Sequence, residues 1–336
     1  MIREAIGALI EGRSLSSEEA SGCMEEIMSG TATPAQIGAF VTALRLKGET
    51  SDEIAGMARV MRANVLRVNV PGPVVDVVGT GGDGLNTFNI STAAALTLAA
   101  SGVKVAKHGN RAASSSAGAA DVLEACGVKL EQTPEGVAQC VEEAGMGFMF
   151  APAFHPAMRH AAAPRRELGI RTVFNILGPL TNPAFADALV VGIADPSFGQ
   201  RMAEAFLQLG TTRAMVVHGS DGADELTLTG PSQVWEAKDG AVTAYEVRPE
   251  DVALEPCSPD DLKGGVAEEN AETMQRVLGG ELGPLHRAVA LSAGAGMLVA
   301  GTVPDLKEGV AAARRVLSSK AALETLRKMA EVSQSA

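Results

Sequence analysis

The first 65 residues carry apolar positions at helical spacing, separated by short polar segments. Three of these segments are capping boxes, in which Ser or Thr precedes Glu or Gln by three residues: Ser16 with Glu19, Thr33 with Gln36, and Thr50 with Glu53. They predict helices over residues 17–29, 34–47 and 52–63, after an earlier helix over 2–11. This region is therefore predicted to be a small helical bundle.

The pattern changes after a linker rich in proline and glycine at residues 70–73. Short apolar runs now alternate with helical segments, as is typical of a mainly parallel sheet flanked by helices. The predicted strands span residues 74–78, 103–106, 128–130, 147–150, 188–193, 214–217, 233–236 and 242–247. The predicted helices span residues 92–101, 118–126 and 134–144, the segment after residue 150, and most of the chain from 268 onward. The sequence thus predicts an α/β fold, with a small α-helical domain and a large α/β domain.

Polar loops follow the first two predicted strands. The first, Gly79-Thr80-Gly81-Gly82-Asp83-Gly84, leads to a helix whose cap is expected at Ser91 or Thr92. Its glycines let the backbone approach an anion, and the helix start offers free N–H groups. The second, Lys107-His108-Gly109-Asn110-Arg111, adds cations and runs through serines 114–116 towards another helix. Loops that follow neighbouring parallel strands meet at one sheet edge, so together they predict a phosphate site.

Two better-known phosphate loops fit these residues less well. Gly79, Gly81 and Gly84 have the dinucleotide spacing, but cations replace the carboxylate expected about 20 residues later. A Walker loop would place Lys and Ser or Thr where Leu85 and Asn86 stand. An NAD(P)-binding oxidoreductase therefore remains an alternative that rests on the glycine pattern alone.

The charge balance narrows the choice of ligand. Acids outnumber bases 40 to 28, for a formal net charge of −12, which argues against a nucleic acid or an anionic membrane as partner. An anionic substrate then needs a local group of cations or a metal ion. The adjacent acids Asp224 and Glu225 follow a predicted strand. Such pairs are commonly solvated loop charges, but beside a phosphate ligand they suit Mg²⁺.

Other features point to the cytoplasm. The cysteines at positions 23, 126, 140 and 257 lack CxxC spacing and are expected to be reduced structural thiols. The N-terminus carries Glu4 and Glu11 and does not resemble a signal peptide. No apolar run has the length that a membrane span needs.

At the two loops the chain resembles the anthranilate phosphoribosyltransferases. The matching segments occur in family order: residues 47–50, 79–83, 89–92, 107–111, 155–158, 178–180 and 221–225, with Arg165 between them. The resemblance implies transfer of the phosphoribosyl group of 5-phosphoribosyl 1-pyrophosphate to the amine of anthranilate. The products are N-(5-phosphoribosyl)anthranilate and pyrophosphate, in the second step of tryptophan biosynthesis from chorismate. It also implies two Mg²⁺ ions per subunit and a homodimer.

The resemblance further implies a domain division and a set of site residues. It places residues 1–65 and inserted helices at about 160–185 in the small domain, and residues 73–159 and 186–336 in the large donor-binding domain. The catalytic residues it implies are Lys107, Asn110 and Arg165. The implied donor-binding residues are Gly79, Gly82, Asp83, Thr87, Asn89, Ile90, Ser91, Thr92, Lys107, His108, Gly109, Asn110, Arg111, Ala112, Ala113, Ser114, Ser115 and Ala119. Gly79, Asn110 and Arg165 would bind anthranilate, and Ser91, Asp224 and Glu225 would bind Mg²⁺.

Some positions depart from this pattern or leave alternatives open. Many family members carry Lys and Ser where this chain has Ser116 and Ala119, so only a backbone contact is expected of Ala119. His108 and His155 are expected to be structural rather than general bases, because an aniline nitrogen is already unprotonated at neutral pH. A pyrimidine nucleoside phosphorylase is the alternative within the fold, and a non-catalytic helical interaction module is a further one.

Overall fold

The capping boxes of the N-terminal region form as hydrogen-bonded pairs in the computed structural model, which describes residues 1–112 and 116–335. In each box the side chain of the Ser or Thr cap accepts a hydrogen bond from the backbone N–H three residues later. The helices of this region are α1 (Ile2–Ile10), α2 (Ser17–Met28), α3 (Pro34–Lys47) and α4 (Ser51–Ala63). The predicted helical bundle is confirmed.

A buried ion pair fixes the turn between α3 and α4. Lys47 Nζ lies 2.9 Å from Glu53 Oε2, and the two side chains are 8% and 0% exposed. Glu53 Oε1 also accepts a hydrogen bond from Leu15 N at 2.8 Å. The carboxylate therefore joins three segments of the bundle.

We expect Lys47→Met to destabilise the protein by about 3–5 kcal/mol, because it leaves the Glu53 carboxylate buried without its cation. Arg13→Met is the matched control, since Arg13 forms an exposed ion pair with Glu19, and such pairs contribute little. Urea unfolding followed by circular dichroism measures both variants. Equal unfolding midpoints in the two variants would contradict the expected role of the buried pair.

Within the described ranges, seven strands form one sheet in the order β3-β2-β1-β4-β5-β6-β7. The strands are β1 (Val75–Gly79), β2 (Val105–Gly109), β3 (Met146–Phe150), β4 (Ala188–Gly192), β5 (Arg213–Gly219), β6 (Ser232–Lys238) and β7 (Ala241–Val247). β1 to β5 pair in parallel, and β6 and β7 add antiparallel pairs at one edge. The predicted α/β fold with a mainly parallel sheet is confirmed.

Helices cover both faces of this sheet. The remaining helices are α5 (Ile90–Ala100), α6 (Ala119–Ala125), α7 (Pro134–Ala144), α8 (Ala151–Phe154), α9 (Arg159–Leu168), α10 (Phe174–Leu180), α11 (Gly199–Gln208), α12 (Ala267–Leu278), α13 (Pro284–Val299), α14 (Leu306–Ser318) and α15 (Ala321–Ser335). Short 3₁₀ turns occur at Pro156–Met158, Pro196–Phe198, Pro249–Val252 and Pro259–Leu262. One apolar core joins a face of the sheet to α5 and α12 to α15, and a second joins the other face to α11 and the N-terminal helices.

The segment of residues 128–130 is not a strand, so that prediction is wrong. Val128 and Leu130 are buried in the core, as an alternating apolar pattern requires, but they pair with no strand in the described ranges. The position beside β2 is taken by β3, and the Lys129 backbone N–H donates to Ser333 Oγ of α15. Burial alone therefore produced the pattern.

No helix in the described part of the chain is long and apolar enough to cross a membrane.

Candidate functional site

The chain runs from β1 through β2 to β3 on one side of the sheet and then continues with β4 on the other side of β1. The order of the strands therefore reverses at β1, which is the topological switch point of the sheet. The carboxyl ends of these parallel strands therefore open a crevice, where open α/β sheets bind their ligands. The turn after β5 also reaches this crevice, because a Cβ added at Gly79 or at Gly192 would overlap Asp224. Glycine at the ends of β1 and β4 thus leaves room for Asp224.

The first predicted loop lies across the end of β1. Gly81, Gly82 and Gly84 adopt φ angles of +70°, +81° and +74°, which other residues rarely adopt. The Gly81 N–H donates to Asp224 Oδ2 at 2.6 Å. Asp83 Oδ1 accepts from Leu85 N at 3.2 Å, while its buried Oδ2 has no hydrogen-bond partner among the described residues. The loop therefore presents backbone N–H groups and one incompletely bonded carboxylate.

The helix after this loop begins earlier than predicted. α5 starts at Ile90 with Asn89 as its N-cap residue, so Ser91 and Thr92 lie in its first turn and do not cap it. The Asn89 side chain is engaged elsewhere, donating to Ala117 O and accepting from Asn270 Nδ2. These tertiary hydrogen bonds, which spacing along the chain does not reveal, fix where the helix starts.

Thr87 ties the end of the loop to a distant segment. It forms an isolated antiparallel bridge with Lys263, and the neighbouring Phe88 N donates to Leu262 O at 2.8 Å. The loop containing Gly82, Asp83 and Thr87 is therefore anchored at both of its ends.

Asp224 and Glu225 lie in the crevice, where backbone N–H groups of Gly81 and Ser91 bind their carboxylates, and they are not free charges of a solvated turn. Glu225 Oε1 accepts from the Ser91 N–H at 3.0 Å, and Ser292 Oγ lies 3.4 Å from Oε2. Desolvation raises the pKa of Glu225 to about 7. Desolvation, then the charges of Glu225 and Asp83, raises the pKa of Asp224 well above its usual value. Two adjacent, desolvated carboxylates are stable in their ionised form only if further positive charge binds beside them.

The structure corrects the expected position of Lys107 and His108. They do not open the second loop but belong to β2, which extends to Gly109, so their side chains point to opposite faces of the sheet. Lys107 is 1% exposed, its Nζ donates to Val77 O, and desolvation lowers its pKa despite the nearby carboxylates of Asp76, Glu225 and Asp224. The ammonium of Lys107 thus lies beneath the crevice, on the side of the acid pair.

His108 lies on the other face of the sheet. Its Nδ1 is 3.2 Å from Gly178 O, and its Nε2 is 3.2 Å from His155 Nε2. Burial lowers the pKa of His108 to about 3 and that of His155 to about 4, so both imidazoles are neutral near pH 7. This hydrogen-bonded pair supports the expectation that the two histidines act structurally.

The second loop therefore begins at Asn110, and its arginine is already paired. Arg111 Nη1 lies 2.9 Å from Asp121 and 2.8 Å from Glu124, although the sequence predicts a cation free for phosphate. Asp121 Oδ2 also accepts from the N–H groups of Ala112 and Gly118. Asp121 thus anchors the loop at the start of α6, where Ala119 is the first residue. Ala113, Ser114 and Ser115, also predicted to bind the donor, lie outside the described residues.

Arg165 belongs to the helical segment that follows β3. It lies on α9, its Cζ is 5.2 Å from the centroid of the Phe174 ring, and desolvation lowers its pKa. The ion pairs found among residues 1–112 and 116–335 do not include this guanidinium. A half-buried arginine that lacks a carboxylate partner is suited to receive an anionic ligand.

Several contacts of this site escaped the sequence patterns. Asn270, Ser292 and Arg171 each bond a loop or acid of the site from a distant part of the chain, and Asp121 bonds the second loop from nine residues away. Of these residues, Arg171 could have been singled out from the sequence, because it lies in an arginine-rich segment around Arg165. Spacing along the chain did not distinguish it from exposed neighbours such as Arg166.

Comparisons with known proteins agree along the whole chain. Residues 71–323 match the glycosyl transferase family, a/b domain, and residues 3–65 match the helical bundle domain of the same family. An anthranilate phosphoribosyltransferase of Chloroflexus aurantiacus is 54% identical over 99% of each chain. The crystal structure of the Thermus thermophilus enzyme of that name is 52% identical, covers 98% of this chain and 99% of its own, and superposes with a TM-score of 0.94.

A more distant structure carries ligands. The anthranilate phosphoribosyltransferase of Saccharomyces cerevisiae in complex with PRPP and Mg is 26% identical and has a TM-score of 0.91 over all of this chain and 98% of its own. The same yeast enzyme is also known in complex with 4-fluoroanthranilate, at 25% identity, with a TM-score of 0.89 over the same shares of the two chains.

Proposed function

The chain belongs to the anthranilate phosphoribosyltransferase family, and we propose that its crevice binds the phosphoribosyl donor while the Arg165 face binds the acceptor. The reaction transfers the phosphoribosyl group of 5-phosphoribosyl 1-pyrophosphate to the amine of anthranilate, within tryptophan biosynthesis. The observation that best supports this assignment is the convergence of glycine N–H groups, Lys107 and two carboxylates at the ends of β1, β2 and β5. The alternatives, a pyrimidine nucleoside phosphorylase and an NAD(P)-dependent oxidoreductase, are not favoured by the relatives.

The donor phosphates would bind to the first loop and to the loop that starts at Asn110. The N–H groups of Gly82 and Gly84, which donate to none of the described residues, supply neutral donors, and the positive end of the α5 dipole favours anions. Asn110 is exposed at the mouth of the second loop. Arg111 would reach a phosphate only by leaving Asp121 and Glu124, so its role depends on rearrangement of that loop.

The acid pair suits Mg²⁺. Asp224 and Glu225 supply hard oxygen ligands in a desolvated setting that raises the pKa of both, and Asp83 Oδ2 lacks a partner among the described residues. No group of three His, Cys, Asp or Glu side chains in the described ranges forms a metal site by itself. This agrees with a metal that binds through one or two carboxylates and the substrate phosphates. We place two ions at Ser91, Asp224 and Glu225; bound there, they would neutralise the pyrophosphate leaving group.

Positioning accounts for most of the catalysis that these residues can supply. The aniline nitrogen of anthranilate is a competent nucleophile without a general base, and displacement at the anomeric carbon needs it in line with the leaving pyrophosphate. Arg165 would orient the acceptor through its carboxylate, and the loop N–H groups would hold the departing phosphates. Lys107 would offset the charge of the acid pair from beneath the crevice.

The domain division and the assembly remain predictions. The packing of α9 against α2 and α3, and of α10 against α4, supports grouping residues 160–185 with residues 1–65. The acceptor would then bind between this helical unit and the sheet. We also propose a cytoplasmic homodimer, as the family resemblance implies.

The expected activity is Mg²⁺-dependent loss of anthranilate fluorescence in the presence of 5-phosphoribosyl 1-pyrophosphate. A chelator should abolish it, and added Mg²⁺ should restore it, because the leaving group needs a counter-ion. Thymidine with inorganic phosphate tests the phosphorylase alternative in the same preparation. Release of thymine without consumption of anthranilate would refute the proposed reaction.

A further inference from the structure

Arg171 connects the helical segment of Arg165 to the first donor loop. It follows Gly169, where α9 ends in a left-handed conformation, and precedes α10. Its Nη1 donates to Gly81 O over 3.0 Å. The contact therefore crosses from the proposed acceptor side of the site to its donor side.

Both backbone polar groups of Gly81 form hydrogen bonds with side chains. Its carbonyl oxygen accepts from Arg171, while its N–H donates to Asp224 Oδ2 at 2.6 Å. A single loop residue thus links the guanidinium to a carboxylate assigned to Mg²⁺. Movement of Arg171 would change the orientation of this residue and, through it, the environment of Asp224.

The neighbouring Gly82 allows this approach. A Cβ at Gly82 would overlap Arg171 Nη1, and the residue adopts a φ of +81°. The close approach of guanidinium and loop therefore depends on the missing side chain as well as on the backbone conformation. This gives Gly82 a role that differs from contact with phosphate.

The backbone of Arg171 is itself anchored to the helical bundle. Arg45 Nη1, at the end of α3, donates to Arg171 O over 2.6 Å. Both arginines border a cavity of about 130 Å³ that also touches Gly82. The loop therefore borders this cavity on the side of the Arg171 hydrogen bond.

Arg171 forms no ion pair with a residue that the structure describes. The salt bridges within residues 1–112 and 116–335 do not involve it, whereas Arg111 and Arg213 each contact carboxylates. Its charge acts at longer range on Asp195, whose pKa is lowered against desolvation by hydrogen bonds with Ser197 and by the charges of Arg201 and Arg171. The Gly81 carbonyl is accordingly its directional contact.

We propose that Arg171 is a positioning residue for the donor loop. It fixes Gly81 so that the loop N–H groups and Asp224 keep the spacing that a diphosphate and its metal require, and it makes this geometry depend on the segment that carries Arg165. This role rests on the proposed function. Arg171 acts through Gly81 and does not contact the reacting atoms.

Arg171→Met removes the hydrogen-bond donor but keeps an unbranched side chain. We expect the KM for 5-phosphoribosyl 1-pyrophosphate to rise about tenfold, as the loss of one charged hydrogen bond predicts, while the KM for anthranilate changes less than about threefold. Arg171→Lys keeps a donor and should recover most of the loss. Arg166→Met, on the exposed side of α9, is the matched control and should leave both KM values unchanged.

Calorimetric titration of the donor with Mg²⁺ separates this role from the proposed reaction. If the unsubstituted protein binds the donor but does not consume anthranilate, the proposed reaction fails, whereas a tenfold weaker binding by Arg171→Met still supports the role of Arg171. Equal donor affinity in Arg171→Met and Arg166→Met would overturn it. A parallel rise in both KM values with a lowered unfolding midpoint would also overturn it, because it would indicate a merely structural role.

Discussion

Replacing Asp224 with Asn and Glu225 with Gln in one variant is expected to lower Mg²⁺-dependent turnover about a thousandfold. The amides keep the size of the side chains but remove the charges that would hold the metal, and loss of such electrostatic stabilisation commonly costs ~10²–10³ in turnover. Turnover is measured from anthranilate fluorescence across a Mg²⁺ titration. Saturating Mg²⁺ should not restore the activity, because the carboxylate ligands themselves are missing.

The same variant should fold at least as stably as the unsubstituted protein. Desolvation raises the pKa of both carboxylates, so their ionised forms oppose folding above the raised pKa values, and the neutral amides remove that penalty. At pH 8 we therefore expect an equal or higher unfolding midpoint. Glu142→Gln with Glu143→Gln, an adjacent acid pair on α7, is the matched control for charge removal. Retention of turnover within tenfold of the control would refute the metal assignment.

Arg165→Ala is expected to raise the KM for anthranilate about a hundredfold while changing the KM for the donor less than about threefold. The half-buried Arg165 guanidinium lies over the Phe174 ring and has no carboxylate partner in the described chain. It is therefore suited to bind the carboxylate of the acceptor. Loss of a bidentate charged contact is worth about 3 kcal/mol, or roughly a hundredfold. Arg165→Lys should be intermediate, because an ammonium cannot form the planar fork.

Aniline provides the sharpest control for this assignment. It lacks the carboxylate, so the unsubstituted protein and Arg165→Ala should use it with the same low efficiency. Arg166→Ala, at the exposed neighbouring position, should retain the normal KM for anthranilate. Equal effects of Arg165→Ala on both substrates would contradict an acceptor-specific role.

The two loops and the acid pair of the proposed donor site were largely predictable because their signals are local. A glycine-rich segment after an apolar run, and an acid pair after another, occur within a few residues of the strands that carry them. Parallel topology then brings the strand ends together, so these residues meet in the crevice. The side of the sheet that each residue faces was less predictable. Lys107 and His108 were expected in a loop, but they continue β2 and separate to opposite faces.

Partners that the local sequence pattern does not reveal decided the remaining details. Arg111 pairs with Asp121 and Glu124, 10 and 13 residues away, and Asn89 bonds Asn270, so both side chains are already engaged in the structure. Residues 128–130 have a strand-like pattern but lack a neighbouring strand. In each case a tertiary contact competed with a local preference, and the local preference was the weaker.

By itself the sequence determined the helical bundle, the α/β alternation, both loops and the acid pair, because capping boxes, periodicity and glycine spacing are written into neighbouring residues. Only the tertiary structure decided that Lys107 lies beneath the acid pair, that Arg111 is ion-paired while Arg165 has no carboxylate partner among the described residues, and that Arg171 binds Gly81. These outcomes depend on strand register and on contacts between separate segments, which lie 10 residues apart from Arg111 to Asp121 and 90 apart from Gly81 to Arg171. Chain spacing does not encode such contacts, because they arise only when the folded backbone brings the segments together.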